Sequence, residues 1–313
     1  MNQTLTAIEG IRAGHAQDFE AMTGCTVILC PPNTVGGVDQ RGGAPGTRET
    51  DLLRPMHMVQ HVHGLVLAGG SAYGLATADG VMRYLEEQGI GYAVGETLVP
   101  IVPAAILFDL DVGSSKRRPD AAMGYAACQQ ASADPVQVGS VGAGTGATIG
   151  KFMGAGQSSK GGIGGAALDL GGGLKIAALF AVNALGNIVA EDGSILAGVR
   201  SPMGDGTFIN PLDLLKMRRG GPASDAIENT VIGVVATNAK LTKEEANQMA
   251  QAAHDGLARA VLPAHTPFDG DTIFALATGA VEADIFTVSA FAAEVTAAAI
   301  RNAARAAAQS GRN

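Results

Sequence analysis

The sequence predicts an α/β protein in which helices cover the outside of stacked sheets. Three observations carry this. Short apolar runs rich in β-branched residues, each closed by Gly or Pro, recur along the chain as well-buried strands do. Segments with helical spacing stand between and after them, the longest of them Ala-rich and near the carboxyl end. The strict strand and helix alternation of a doubly wound sheet is missing.

The runs "CTVILCP" (25–31) and "VHGLVLAGG" (62–70) are read as buried strands. "SAYGLATADGVMRYLEEQG" (71–89) predicts a helix stopped by Gly, with Leu75, Met82 and Leu85 near helical spacing. "KIAALFAVNALGNIVA" (175–190) reads as two strands folded about an Asn-containing bend. A polar segment near 216–229 is the best candidate for a break, and "TVIGVVATN" (230–238), a buried strand, follows it at once. Thr242 and Glu245 then make a capping box, after which Ala246, Met249, Ala250, Ala253, Leu257 and Val261 line one helical face. "DTIFALATG" (271–279) is a further strand, and residues 284–309 form a closing helix. The part after 229 is too entwined in this pattern to stand alone, so 1–313 is read as one domain.

With 313 residues and 47% hydrophobic content, the chain can bury a large core. Its net charge is −8 and its one dense basic cluster, "SSKRRPD" (114–120), is read as a solvated turn, which excludes a nucleic-acid or polybasic membrane surface. The most apolar run is broken by Asn183, Gly186 and Asn187 and falls short of the roughly 20 residues that a span requires. The first residues lack a basic region followed by an apolar stretch, so a cytoplasmic setting is expected. Cys25, Cys30 and Cys128 show neither metal-ligand spacing nor a disulfide framework and are read as small buried hydrophobes. No metal or cofactor is expected. The 44 glycines cluster without a period, as turns do where backbone must approach backbone or ligand.

Several motifs imitate function. "GSVGAGTGA" contains a dinucleotide-type pattern, but the following "TIGKFMGAGQ" is too glycine-rich for the helix that must receive a pyrophosphate. "GATIGKF" is one residue short of a phosphate loop and carries Phe152 where Ser or Thr would reach magnesium. His57, His61 and His63 have partial ligand spacing without an accompanying H-E-x-x-H, which favours a structural role. Ser71 in "LAGGSAYG" sits at a strand-to-helix turn without the G-x-S-x-G pattern, so Gly70, Ser71 and Tyr73 are read as a pocket wall.

Thr230 carries a different possibility. A threonine hydroxyl is a weak nucleophile unless a base lies beside it, and a Thr at a chain start supplies its own α-amine. Such an amine, with an unperturbed pKa of about 8, exists here only if the Asn229–Thr230 bond is cut.

The segments "GVDQRGGAPGTRETD", "GLVLAGGSAYGL", "GAGTGATIGK", "VNALGNIV", "TVIGVVATNA" and "HTPFDGDTIFALATG" occur in this order through nearly the whole chain. In them the sequence resembles the P1 peptidases, which include an L-aminopeptidase/D-amidase/esterase, β-peptidyl aminopeptidases and the nylon-oligomer hydrolase. The resemblance implies a four-layer α/β/β/α sandwich, similar in layering to the N-terminal-nucleophile hydrolases but different in connectivity. It implies a precursor that cuts itself between Asn229 and Thr230 into 1–229 and 230–313, and a homotetramer. Thr at the cut, Lys151 and the Asp269 and Asp271 pair look most like the nylon-oligomer hydrolase branch. Carried over, Thr230 is the nucleophile and Lys151 orients its hydroxyl. Asn183 offers a side-chain N–H to an oxyanion, and Asp269 and Asp271 accept from the Thr230 ammonium or from Lys151. The expected partner is a small peptide or amide. The alternatives are an acyltransferase, since ornithine acetyltransferases share a similar layering and a self-cutting Thr, and an uncut member that only binds metabolites.

Overall fold

A strand that is apolar on both faces needs a packed layer on each side of it. Ten strands meet that demand in the computed structural model, which describes residues 2–218 and 229–309. They are β1 (Arg12–Asp18), β2 (Thr23–Leu29), β3 (Val35–Gln40), β4 (Thr47–Arg48), β5 (Gly64–Ala68), β6 (Ala104–Ile106), β7 (Gly162–Asp169), β8 (Lys175–Asn183), β9 (Thr230–Ala239) and β10 (Thr272–Val281). Two five-stranded sheets result, in the orders β1-β2-β5-β6-β4 and β7-β8-β9-β10-β3. The helices are α1 (Thr77–Glu87), α2 (Ala121–Gln129), α3 (Pro211–Arg218), α4 (Lys243–Ala260) and α5 (Ile285–Gln309).

Side chains that alternate along each strand build three apolar layers. Between the sheets, Ile28, Leu65 and Leu67 meet Leu179, Ile232, Val234 and Phe274. Outside the first sheet, Val27 and Val66 pack on Val81 and Leu85 of α1 and on Met123 of α2. Outside the second, Phe180, Val182 and Val235 pack on Met249 and Leu257 of α4 and on Val295 and Ile300 of α5. The order is therefore α/β/β/α.

Local signals hold in detail at α4. Thr242 Oγ1 accepts from the Glu245 amide at 3.2 Å and the Glu245 carboxylate accepts from the Thr242 amide at 2.7 Å. Elsewhere the structure departs from the expectations. The helix expected from 71 begins as a 3-10 turn over Ser71–Ala76 before α1. The two strands expected in 175–190 do not fold back on one another. Asn187–Val189 instead pairs with Ile195–Ala197 and Val261–Leu262. The glycines at 162, 164 and 165 lie inside β7 and not in a turn. A Cβ on Gly164 would stand 2.2 Å from the Ala299 carbonyl oxygen, so glycine lets the α5 backbone lie directly on the sheet. The break expected near 216–229 falls mostly on residues 219–228, outside the described residues. Among the described residues, no helix is long and apolar enough to cross a membrane.

The topology gathers several strand ends in one place. Asn183 closes β8 directly opposite Thr230, the first residue of β9. Parallel β10 begins beside it, one residue after Asp271, and Gln40 closes β3 opposite Thr272. In the other sheet, parallel β5 and β6 lead into Gly69 and Gly70 and into Phe108 and Asp109. The Asn183 side-chain amide joins the two sheets here by donating to the Phe108 carbonyl at 2.8 Å.

Candidate active site

Thr230 is 3% exposed, and its hydroxyl donates to the carbonyl oxygen of Asn229 at 2.5 Å. The same oxygen accepts the Gly270 amide at 2.8 Å, so an N–H dipole already polarises it. Asn229 in turn donates its amide to the Phe268 carbonyl at 3.1 Å. Residue 229 is thus laid as a one-residue parallel bridge against Asp269.

The loop that carries this edge is clamped from behind. Arg41 donates its amide to the Asp271 carbonyl at 2.8 Å, and Ala44 donates to the Asp269 carbonyl at 3.0 Å. A Cβ on Gly42, whose φ is +96°, would stand 2.2 Å from the Asp269 carbonyl oxygen. The "RGGAPG" segment therefore packs its backbone against the acidic loop.

Asp269 and Asp271 are both buried. Asp271 Oδ1 accepts from the amide of Val231, next to the threonine, at 2.8 Å, and Oδ2 accepts from His265 Nδ1 at 2.8 Å. Asp269 Oδ2 accepts from the Thr266 amide at 2.8 Å and its hydroxyl at 2.5 Å. Burial, reinforced by the nearby Asp271 charge, lifts the Asp269 pKa to about 6.

Lys151 is 7% exposed, and among the described residues its ammonium donates to Asn183, to the backbone oxygen at 3.1 Å and to Oδ1 at 2.7 Å. Burial lowers its pKa to about 7, against the opposing pull of Asp111, Asp269 and Asp109. The donors of Lys151 go to Asn183, and of the aspartate pair Asp269 acts on it through space. One of the two Asn183 side-chain N–H groups donates to the Phe108 carbonyl, and the amide that reaches the Asn229 oxygen belongs to Gly270.

Two further groups were not anticipated. Asp109, 2% exposed, accepts from the Gly70 amide and the Thr23 hydroxyl, both at 2.7 Å, and burial raises its pKa to about 6. Lys160 donates to the carbonyls of Thr145 and Ala147, and burial lowers its pKa to about 8. Only "LFDLDVG", an Asp-x-Asp resembling the pair at 269 and 271, could have drawn attention to Asp109. Gly70 is thereby tied to the site. Ser71 has a φ of 53° and donates its amide to Leu107 at 3.0 Å, while Tyr73 is 60% exposed under the Arg118 guanidinium.

A cavity of about 490 Å³, lined by Met22, Asp111, Thr148, Lys160 and Arg200, opens beside these groups. Its wall residue Thr148 donates its amide to Asn183 Oδ1 at 2.9 Å. A larger cavity of about 570 Å³ surrounds His61 and His63 at the other end of β5, away from this chemistry.

Residues 3–312 match the model of peptidase family S58. A Mycobacterium tuberculosis protein described as an uncharacterized aminopeptidase is 46% identical over 308 residues, covering 89% of this chain and 82% of its own. A 6-aminohexanoate-oligomer endohydrolase of Kocuria sp. is 31% identical over 281 residues, covering 87% and 74%. Among solved structures, a β-aminopeptidase of Burkholderia sp. superposes with a TM-score of 0.71 at 22% identity, over 97% of this chain and 86% of that one. The L-aminopeptidase D-Ala-esterase/amidase of Ochrobactrum anthropi, described as a variant of the N-terminal-nucleophile hydrolase fold, gives 0.73 at 20% identity, over 98% and 86%.

Proposed function

The chain belongs to peptidase family S58 and is an amide-bond hydrolase, and on that premise we propose that it cuts itself between Asn229 and Thr230 and then uses Thr230 as an N-terminal nucleophile. The observation that carries this is the Thr230 hydroxyl 2.5 Å from an Asn229 carbonyl oxygen already held by the Gly270 amide.

In the precursor, Thr230 Oγ1 adds to the Asn229 carbonyl carbon, and the Gly270 N–H receives the charge that develops on the oxygen. The 229–230 C–N bond breaks, its nitrogen takes a proton and an ester remains on Thr230. Water then hydrolyses the ester, which leaves a carboxylate on Asn229 and an α-amine on Thr230. That amine is the base for the mature hydroxyl, and substrate turnover repeats the sequence through an acyl-enzyme. Lys151 acts through Asn183, its ladder neighbour of Thr230, and a pKa of about 7 lets its amine exchange protons near neutrality. Asp271, bound to the Val231 amide, lies next to the new amine and can accept from it.

The substrate is a small peptide or amide, and the proposed setting is a cytoplasmic homo-oligomer. Exposed Phe286 and Phe291 on α5 support association. Intact-mass analysis of wild type and Thr230→Ala tests the central step. Wild type should resolve into two chains and the variant should stay full length and inactive. Amide hydrolysis by an uncut wild-type chain would sink the reading.

A further inference from the structure

The two carboxylates of the acidic loop are each gripped by a residue placed shortly before them. Thr266 gives its amide and hydroxyl to Asp269, and His265 gives its amide and its ring Nδ1–H to Asp271 Oδ2, at 3.2 and 2.8 Å. The segment "HTPFDGD" thus sets two holders in front of two acids. Asp271 Oδ1 is left for the Val231 amide at 2.8 Å. That bond continues the ladder by a side chain, because the pairing of parallel β9 and β10 starts only at Ile232 and Thr272. Thr230 lies between two clamps, the Gly270 amide on the Asn229 oxygen before it and Asp271 on the amide after it. The aim of the His265 ring is itself fixed. His254 of α4 meets it edge to face, at a centroid distance of 4.9 Å and an interplanar angle of 65°. His254 is fully buried, and its Nε2 donates to the Asp39 carbonyl in β3 at 3.1 Å. Burial lowers its pKa to about 3, so this second ring stays neutral beside His265. His265 has a φ of 54°, a left-handed conformation that suits Gly and Asn better than most residues. A ring held at such a position, with its donor turned to a buried carboxylate, is there for what the side chain does.

We propose that His265 is a positioning residue of the catalytic centre: its Nδ1–H fixes the Asp271 carboxylate by Oδ2, which keeps Oδ1 on the Val231 amide and, through it, Thr230 against the Asn229 carbonyl. His265 acts through Asp271 and does not itself touch the reacting atoms. The same contact holds the acceptor for the new α-amine in place once the chain is cut. This rests on the reading of Thr230 as nucleophile. Without the ring, Oδ2 keeps the longer bond from the His265 amide, and the carboxylate is free to turn about its Cβ–Cγ bond.

The test compares His265→Gly with His265→Asn in freshly translated full-length chain, where the protein's own 229–230 bond is the substrate. Gly accepts the left-handed φ and removes the ring. Asn accepts the same φ and sets an amide N–H close to the place of Nδ1, so it restores the donor without the ring. Intact mass against time reads the rate of self-cutting, and thermal unfolding of each chain gives the folded fraction. His265→Gly should cut about ten-fold more slowly or worse per folded molecule, the typical weight of one hydrogen bond to a carboxylate, and His265→Asn should cut within about three-fold of wild type. A ring that served packing alone would be restored by neither, because Asn does not replace its contact with His254. Equal slowing of the two variants therefore overturns the assignment, and so does a wild-type rate per folded molecule in His265→Gly. A wild-type chain that stays uncut, or a Thr230→Ala chain that cuts, sinks the nucleophile itself and this inference with it.

Discussion

Two lysines are buried among the described residues, Lys151 at 7% exposure and Lys243 at 2%, and they differ in what their ammonium groups are given to hold. Lys243 donates to three backbone carbonyls, those of Leu52, His57 and Val59, at 2.7, 3.0 and 2.8 Å. These use all three of its N–H donors and tie down the loop that carries His57. Among the described residues Lys151 has two bonds, both to Asn183, and carboxylates that act on it through space. Burial pulls both pKa values down, Lys151 to about 7. A buried cation with every donor satisfied is a structural clip. One that titrates near neutrality and is bonded to the ladder neighbour of Thr230 is suited to chemistry.

The comparison breaks if the two respond alike. Lys151→Met should slow self-cutting and turnover by about 100-fold or more, the range of a general acid–base contribution. It should leave the folded state as stable or more so, because a poorly compensated buried charge has been removed. Intact mass against time and thermal unfolding read the two effects. Lys243→Met should do the reverse. Orphaning three carbonyls should cost about 3 kcal/mol of stability, measured by denaturant unfolding, with turnover per folded molecule within about two-fold of wild type.

The pH dependence of stability sharpens the contrast. With a folded pKa of about 7 against an ordinary 10.5, Lys151 binds fewer protons in the native than in the unfolded chain between those values. Stability should therefore rise with pH through that window, and Lys160, at about 8, adds to the rise above it. Lys151→Met should flatten the slope. Asp109, raised from 3.8 to about 6, has the opposite sign, since its native form holds the extra proton. Stability should fall as pH rises from 3.8 to 6, and Asp109→Asn should reduce that fall. The smallest effect is expected at Tyr73, whose ring is exposed under Arg118. Tyr73→Ala should change stability by about 1 kcal/mol or less.

The contrast between the lysines was only partly legible in the sequence. The "TIGK" motif singled out Lys151 by resemblance, while Lys243 looked like an ordinary residue in the first turn of a helix. Its carbonyl partners lie more than 180 positions away, and no local pattern reports such a contact. Gly270 was passed over for a related reason. A D-G-D triplet reads as a turn, and its backbone N–H becomes informative only when a specific carbonyl is brought to it.

By itself the sequence determined the α/β class, the α4 capping box, Thr230 at the head of a buried strand, and the family. These follow from local backbone preference, from apolar periodicity and from motifs in order along the chain. The tertiary structure alone decided that Asn183 donates one side-chain N–H to Phe108, that Gly270 holds the Asn229 oxygen, and that Asp109 and Lys160 stand beside Lys151. Hydrogen-bond partners and desolvation are properties of space. Residues far apart in the chain share them only after the ends of two sheets have been brought together.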